Sequence, residues 1–245
     1  ADLQEAIVYC HVRGVKVHLT LNTLVLDREM QRAADLIRMA AAFGVDAFIV
    51  QDLGVVSLCK EIAPDVPVHA STQMSIHSLE GVLEAAALGC SRVVLSRELP
   101  ASEIAYICKK SPVEIEVFVH GALCMCYSGQ CYLSSVIGRR SGNRGQCAQP
   151  CRLPYGYGRF ESTRYPLSLK DNCLAGELDE LRRLYARGGT APEHVTELVD
   201  LYKYGIRENR WSAMMDKLRD DPAAALRRRV KGQEPAIAKI VSVLK

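Results

Sequence analysis

No stretch of the 245 residues is both long and apolar enough to cross a bilayer, because charges interrupt every hydrophobic run short of the roughly 20 residues a spanning helix needs. The opening residues, ADLQEAIVYCHVRGVK, have no basic start, no apolar stretch and no small-residue cleavage site, so they do not read as a secretory signal. A cytoplasmic chain with no membrane partner is expected, and a disulfide framework is then a poor account of its cysteines. His-Glu-x-x-His is missing, and His11, His18, His69, His77, His120 and His194 show no other zinc-peptidase grouping. There is no Gly-x-Ser-x-Gly elbow. The first residue is not Met and the chain starts within a helical pattern, as expected of a fragment or a processed product.

What is present is a repeat of strand and helix. Five β-branched runs, VKVHLTLN (15–22), DAFIVQD (46–52), VPVHASTQ (66–73), RVVLSRE (92–98) and EIEVFVHG (114–121), alternate with amphipathic stretches such as REMQRAADLIRMAAAFG. That alternation predicts right-handed βαβ units and a parallel sheet, an α/β fold of the partial TIM-type (β/α) barrel kind. The short run PLSLKD (166–171) reads as one more strand, and from Gly176 the pattern is helical, with Thr190 as an N-cap. Three regions follow: residues 1–121 as an incomplete barrel, 122–175 as a cysteine-rich segment and 176–245 as a helical C-terminal segment. Net charge is +3, but residues 201–245 carry 11 Lys/Arg against 5 Asp/Glu. Such a basic segment suits an RNA or phosphate partner, or a solvated helix.

Each run ends in polar residues: Asn22; Gln51 and Asp52; His69, Ser71, Thr72 and Gln73; Arg97 and Glu98; His120. Parallel α/β folds build their sites at the C-terminal ends of the strands, so these residues are candidates for one shared site. Asn22, Gln51, Asp52, His69, Gln73, Arg97 and Arg144 are the expected substrate-binding groups. Glu98 and His120 are the expected proton-transfer groups. Arg97, Arg139, Arg140 and Arg144 suit phosphate or a small carboxylated co-substrate, or else solvate their loop.

The ten cysteines are unevenly spread. Cys10, Cys59, Cys90, Cys108 and Cys173 are scattered and read as small buried hydrophobes. The other five fall within CMCYSGQC (124–131) and GNRGQCAQPCR (143–152). Two pairs, Cys124-x6-Cys131 and Cys147-x3-Cys151, can surround tetrahedral Zn²⁺ or an iron–sulfur cluster, and spacing alone does not choose between them. Neither the Cys-x3-Cys-x2-Cys of radical enzymes nor the paired Cys-x-x-Cys of zinc ribbons occurs.

The stretch Glu116–Cys124, continuing through SGQC to Ser134, resembles the signature of the collagenase-like peptidases of unassigned type, a family now associated largely with RNA and quinone hydroxylation. The resemblance extends through SGNRGQCAQPCRLPY (141–155) and back to HLTLN, IVQDLG, HASTQM and VVLSREL. SGNRGQCAQPCRLPY and LSLKDN look most like the branch of ribosomal RNA cytidine hydroxylases, and a sister branch acts on tRNA uridine. The resemblance implies a [4Fe–4S] cluster on Cys124, Cys131, Cys147 and Cys151, with Cys126 and Cys173 as spare thiols. It also implies two strand–helix units upstream of Ala1, and a Lys-Ile-Glu-Gly-Arg-like strand where this sequence has LRRLYARGGTAPEH. Three of the eight barrel strands are then missing, and weak activity is expected of the chain alone.

Function follows in three alternatives. The first is an iron–sulfur-dependent enzyme hydroxylating a nucleobase, of rRNA cytidine or tRNA uridine, with RNA as partner. The second is the collagenase-like peptidase that the family name implies. The third is a non-catalytic scaffold that carries the cluster.

Overall fold

The β-branched runs form strands and the amphipathic stretches form helices in the order expected. The computed structural model describes residues 2–156, 164–179 and Arg183. The expected Thr190 cap and most of the helical, basic C-terminal segment lie outside them. The elements are α1 (Asp2–Val12), β1 (His18–Leu21), α2 (Met30–Ala42), β2 (Ala47–Val50), α3 (Leu53–Ile62), β3 (Val68–Ala70), α4 (Leu79–Ala87), β4 (Arg92–Val94), α5 (Ala101–Lys110) and β5 (Glu114–Glu116). The five strands form one parallel sheet in the order β1-β2-β3-β4-β5.

Register divides the sheet into two unlike faces. Leu19 pairs with Phe48 and Phe48 with Val68, while Ala70 pairs with Val93 and Val93 with Ile115. Side chains alternate across a strand, so these residues share an apolar face. Phe48, Val50, Val68, Ala70 and Val93 on it are fully buried, as are Ile37, Val56, Val82 and Ile107 of the helices. Burying a side chain of this size contributes about 1.5–3 kcal/mol, which makes this layer the core. The opposite face carries Thr20, Ile49, His69, Arg92 and Glu114 in one row. Arg92 holds Glu114 at 2.6 Å and Glu116 at 3.1 Å along it.

Caps set the helix boundaries. The Asp52 carboxylate accepts from the amides of Gly54 and Val55 to start α3, and Ser78 Oγ accepts from Gly81 to start α4. Loss of such a cap costs about 1 kcal/mol. Past α2, Gly44 takes φ +86°, a left-handed conformation suited to glycine.

Three expectations are modified. The sheet is open, with β1 and β5 as edges, so the described residues form a five-stranded parallel sheet and no closed barrel. The run 114–121 is two pieces, because β4 ends at Val94 and the last amide that β5 receives is that of Leu95. Arg97 then lies over the Phe118 ring, 4.3 Å from its centre, and β6 (His120–Gly121) pairs antiparallel with β7 (Asn172–Cys173). In PLSLKD the strand begins later than expected. Ser168 donates to the Tyr165 carbonyl, closing a turn with Pro166 at its favoured second position. No helix among the described residues is long and apolar enough to cross a membrane.

Candidate functional site

Residues 122–152 have little regular structure beyond α6 (Leu133–Gly138), and their order comes from ties to the loops that follow the strands. After β1, Leu24 donates to the Asn143 carbonyl at 3.0 Å. Arg144 grips both Glu29 oxygens at 2.6 and 2.7 Å and donates to the Leu24 carbonyl at 2.7 Å. After β3, Ser75 Oγ donates to the Ser128 carbonyl at 2.6 Å and accepts from Gln130 Nε2 at 2.9 Å. After β4, Glu98 Oε1 accepts from both the amide and the hydroxyl of Ser128, at 2.8 and 3.0 Å. Arg97 donates to the Ala122 carbonyl at 2.5 Å. The cysteine segment is therefore fastened to the C-terminal ends of three strands.

The tightest of these contacts is at Gly129, with φ +76°. A Cβ there would stand 2.2 Å from the Gln73 carbonyl oxygen and 2.8 Å from Ser75 Oγ. Only glycine fits that approach, and the glycine brings the segment down onto the β3 loop.

Within the segment, α6 organises the cysteines. Ser134 Oγ, buried in α6, accepts from the Ala148 amide at 2.9 Å, which draws the Cys147 strand of the loop against the helix that follows Cys131. A Cβ on Gly142 would lie 3.6 Å from Cys147 Cβ and 3.8 Å from the Cys131 carbonyl. Arg152, next to Cys151, donates to the Leu123 carbonyl at 2.9 Å, next to Cys124. Its other contacts, to Ser168 Oγ at 2.8 Å and the Leu169 carbonyl at 2.5 Å, bring in the chain before β7. The Cys124 thiol is pushed up by burial, and the nearby thiols of Cys131, Cys151 and Cys147 add to the shift while Arg97 opposes it. Cys124 therefore lies within electrostatic range of each of the other three expected ligands. Cys126 instead turns its thiol to the Gln130 carbonyl at 3.5 Å, and Cys173 is exposed on β7. Among the described residues, no three His, Cys, Asp or Glu side chains close on a point as one metal ion requires.

The remaining candidates occupy varied positions. Asp52 is a helix cap whose second oxygen accepts from Val25, and Arg144 is committed to Glu29. That pair holds the Glu29 carboxyl down to about 2. Arg97 and Glu98 hold the cysteine segment, and the half-buried Gln73 lies beneath Gly129. Asn22 is half-buried just past β1. Gln51 and His69 are buried at 7 % and 5 % exposure, and burial followed by Arg92 lowers His69 to about 4. His120 is exposed on β6 opposite Cys173, and no hydrogen bond or ion pair joins it to Glu98 among the described residues. The residue beside Glu98 is His77, whose Nε2 lies 3.3 Å from Oε2 without hydrogen-bond alignment. Sequence reading passed over His77, Ser75, Ser128 and Arg152. Only the position of Arg152 beside Cys151 could have singled one out.

The chain is 42% identical over 185 residues to the 23S rRNA 5-hydroxycytidine C2501 synthase of Escherichia coli, covering 74% of this chain and 28% of that protein. It is 36% identical over 154 residues to tRNA hydroxylation protein P1 of Bacillus subtilis, covering 63% and 36%. It is 34% identical over 229 residues to a protein of Porphyromonas gingivalis named collagenase, covering 84% and 55%. The chain thus spans between about a quarter and just over half the length of these relatives. The solved structure of the U32 peptidase Mk0906 aligns with 49% of this chain and 52% of its own, at TM-score 0.43 and 17% identity. A model of peptidase family U32 matches residues 1–188, which take in the five strand–helix units and the whole cysteine segment, and the chain belongs to that family.

Proposed function

We propose that this chain supplies the cysteine-bearing part of an enzyme that hydroxylates a nucleobase in RNA, with a [4Fe–4S] cluster on Cys124, Cys131, Cys147 and Cys151. The observation that carries the proposal is the fastening of the segment that bears these four cysteines onto the strand ends where parallel α/β folds place their chemistry. The relatives named for rRNA and tRNA hydroxylation support RNA as the substrate. The five strands are read as an arc of a (β/α) barrel, completed by chain beyond the described sheet.

The donor set fits the cluster. The Cys124 thiol is buried beside the other three and resists ionisation, and iron would remove that cost by binding it as a thiolate. Zn²⁺ is the alternative ligand-holder, but it needs its donors drawn around one point, whereas a cluster several atoms across spaces them more widely. When bound, the cluster supplies redox or Lewis-acid chemistry. The chain's own residues do the rest. Arg97 and Arg152 fix the carbonyls of Ala122 and Leu123, so the backbone entering Cys124 is held from both sides. Glu98 and His77, 3.3 Å apart, are the pair able to hold or pass a proton. His120, four residues before Cys124 and exposed, is a second proton carrier. The basic segment 201–245 would serve RNA phosphates, and Arg139 and Arg140 would hold phosphate or a small carboxylated co-substrate.

The P. gingivalis relative named collagenase favours a peptidase as second reading. A single-metal hydrolytic centre would need a His and carboxylate group that the described residues do not bring together. The test is mass spectrometry of rRNA and tRNA from cells lacking the gene and complemented with it, or with its Cys124→Ala form. A hydroxylated base restored by the first and not the second is expected, along with iron and sulfide in the purified protein. Unmodified RNA together with cleavage of a collagen-like peptide that survives iron chelation would overturn the proposal.

A further inference from the structure

Among the described residues, three buried polar side chains on or just past adjacent strands each have an atom without a hydrogen-bond partner, and they belong to the same face of the sheet. Gln51 Oε1, His69 Nδ1 and Ser96 Oγ make no hydrogen bond, although the residues are only 7 %, 5 % and 3 % exposed. Register puts Ile49, His69 and Arg92 side by side, and alternation carries that face on to Gln51 after β2 and Ser96 after β4. Native proteins seldom leave such groups unpaired, because each was stripped of water for no return. A neighbour shows the contrast: Ser71, on the same face, spends its hydroxyl on the Gln73 amide at 3.2 Å.

We infer that Gln51, His69 and Ser96 form a recognition site for the hydrogen-bonding edge of an unstacked pyrimidine base. The inference rests on the nucleobase reading for the identity of its ligand, and the site's own chemistry narrows the choice. It is uncharged, because His69 is neutral at pH 7 and the neighbouring Arg92 is engaged with Glu114 and Glu116. A phosphate or carboxylate would find no free cation there. The unpaired atom of Gln51 is an amide oxygen, which only accepts, so the ligand must bring a donor, and a base's N–H supplies one. Imidazole and hydroxyl take either role and suit the ring nitrogen and carbonyl beside it. Adjacent strands lie about 4.8 Å apart, so side chains converging from three of them can meet the edge of one six-membered ring. The cysteine segment is tied to the loops after β3 and β4, the strands that carry His69 and lead to Ser96. A base held on this face would lie close to the thiols, and enzymes that modify bases read them unstacked in this way.

The test uses the full chain and four free nucleosides: cytidine, cytidine dimethylated on its amine, uridine, and uridine methylated on its ring N–H. Affinity is measured by saturation-transfer NMR and calorimetry, and stability by thermal melting. The parent nucleosides should bind about tenfold more tightly than their methylated forms, the ratio expected for one buried hydrogen bond. Gln51→Leu should erase that ratio while its Tm holds or rises, since an unpaired buried polar group has been removed. Ser96→Ala should weaken binding of all four and keep the fold, so the site stays testable if Gln51→Leu does not fold. Equal affinity for parent and methylated forms, an unchanged ratio in Gln51→Leu, or a lowered Tm in both variants would overturn the inference. RNA left unmodified in cells while the nucleosides still bind selectively would instead remove the hydroxylation reading and leave this site standing.

Discussion

Replacing Gly129 by Ala should release the cysteine segment without unfolding the sheet. The new Cβ would stand 2.2 Å from the Gln73 oxygen and 2.8 Å from its carbonyl carbon, both backbone atoms that cannot swing aside. Left-handed φ at this position adds about 1–2 kcal/mol of strain for any residue with a Cβ. Relieving the clash means lifting residues 128–130, which breaks the Ser75–Ser128 bond and the two bonds from Ser128 to Glu98. A neutral bond contributes about 1 kcal/mol and each bond to a carboxylate about 1.5–3 kcal/mol, so the loss is about 4–7 kcal/mol before relaxation and somewhat less after it. The core of Phe48, Val68, Val93 and the helices takes no part in that loss. Hydrogen exchange should therefore accelerate across residues 122–152 and stay slow in the strands, and iron uptake under anaerobic reconstitution should fall. Gly138→Ala is the control, because a Cβ there meets nothing within 4 Å and φ is not left-handed. Normal iron uptake and unchanged exchange in Gly129→Ala would refute the claim that this contact positions the cysteines.

Alanine at Cys124, Cys131, Cys147 or Cys151 should abolish iron and sulfide binding, while alanine at Cys126 or Cys173 should leave metal analysis nearly unchanged. The Glu29–Arg144 tie should be sensitive to acid. The Glu29 carboxyl lies at about 2 against an ordinary 4.5, so the tie is whole above 4.5 and is lost as pH falls through about 2. Exchange at residues 142–146 should quicken over that window in the native chain and show no such step in Glu29→Gln. Arg152→Lys should loosen the carbonyls of Leu123 and Leu169 and raise exchange at Cys124 and before β7, because one ammonium cannot span the contacts that a guanidinium fork makes. The His69 imidazole, followed by NMR, should stay neutral on acidification past its ordinary 6.5 and titrate near 4.

The strands and helices were legible in the residues because their signals are local. Val-Val-Leu and Ala-Phe-Ile-Val state a buried strand within a few residues, whereas Asp52, expected among the substrate groups, is the cap of α3. The cysteine quartet was singled out for another reason, its spacing and its likeness to a family, although no local pattern orders that loop. Other readings needed distance in the chain. Arg144 and Arg97 stood as candidates for substrate and Glu98 for proton transfer, yet their partners are Glu29, Ala122 and Ser128, between 25 and 115 residues away. No spacing rule connects such pairs.

The sequence by itself determined the parallel α/β layout, the two faces of each strand and the residue types available at the strand ends, because alternation and capping depend only on neighbours along the chain. Tertiary structure decided which polar groups are spent as struts and which remain buried without partners. Glu98 and Gln51 are both polar residues just past a strand, but one is bonded by Ser128 and the other has an amide oxygen that no described residue reaches. The difference comes from how a loop some thirty residues beyond Glu98 folds back over the sheet, with Gly129 allowing the close approach.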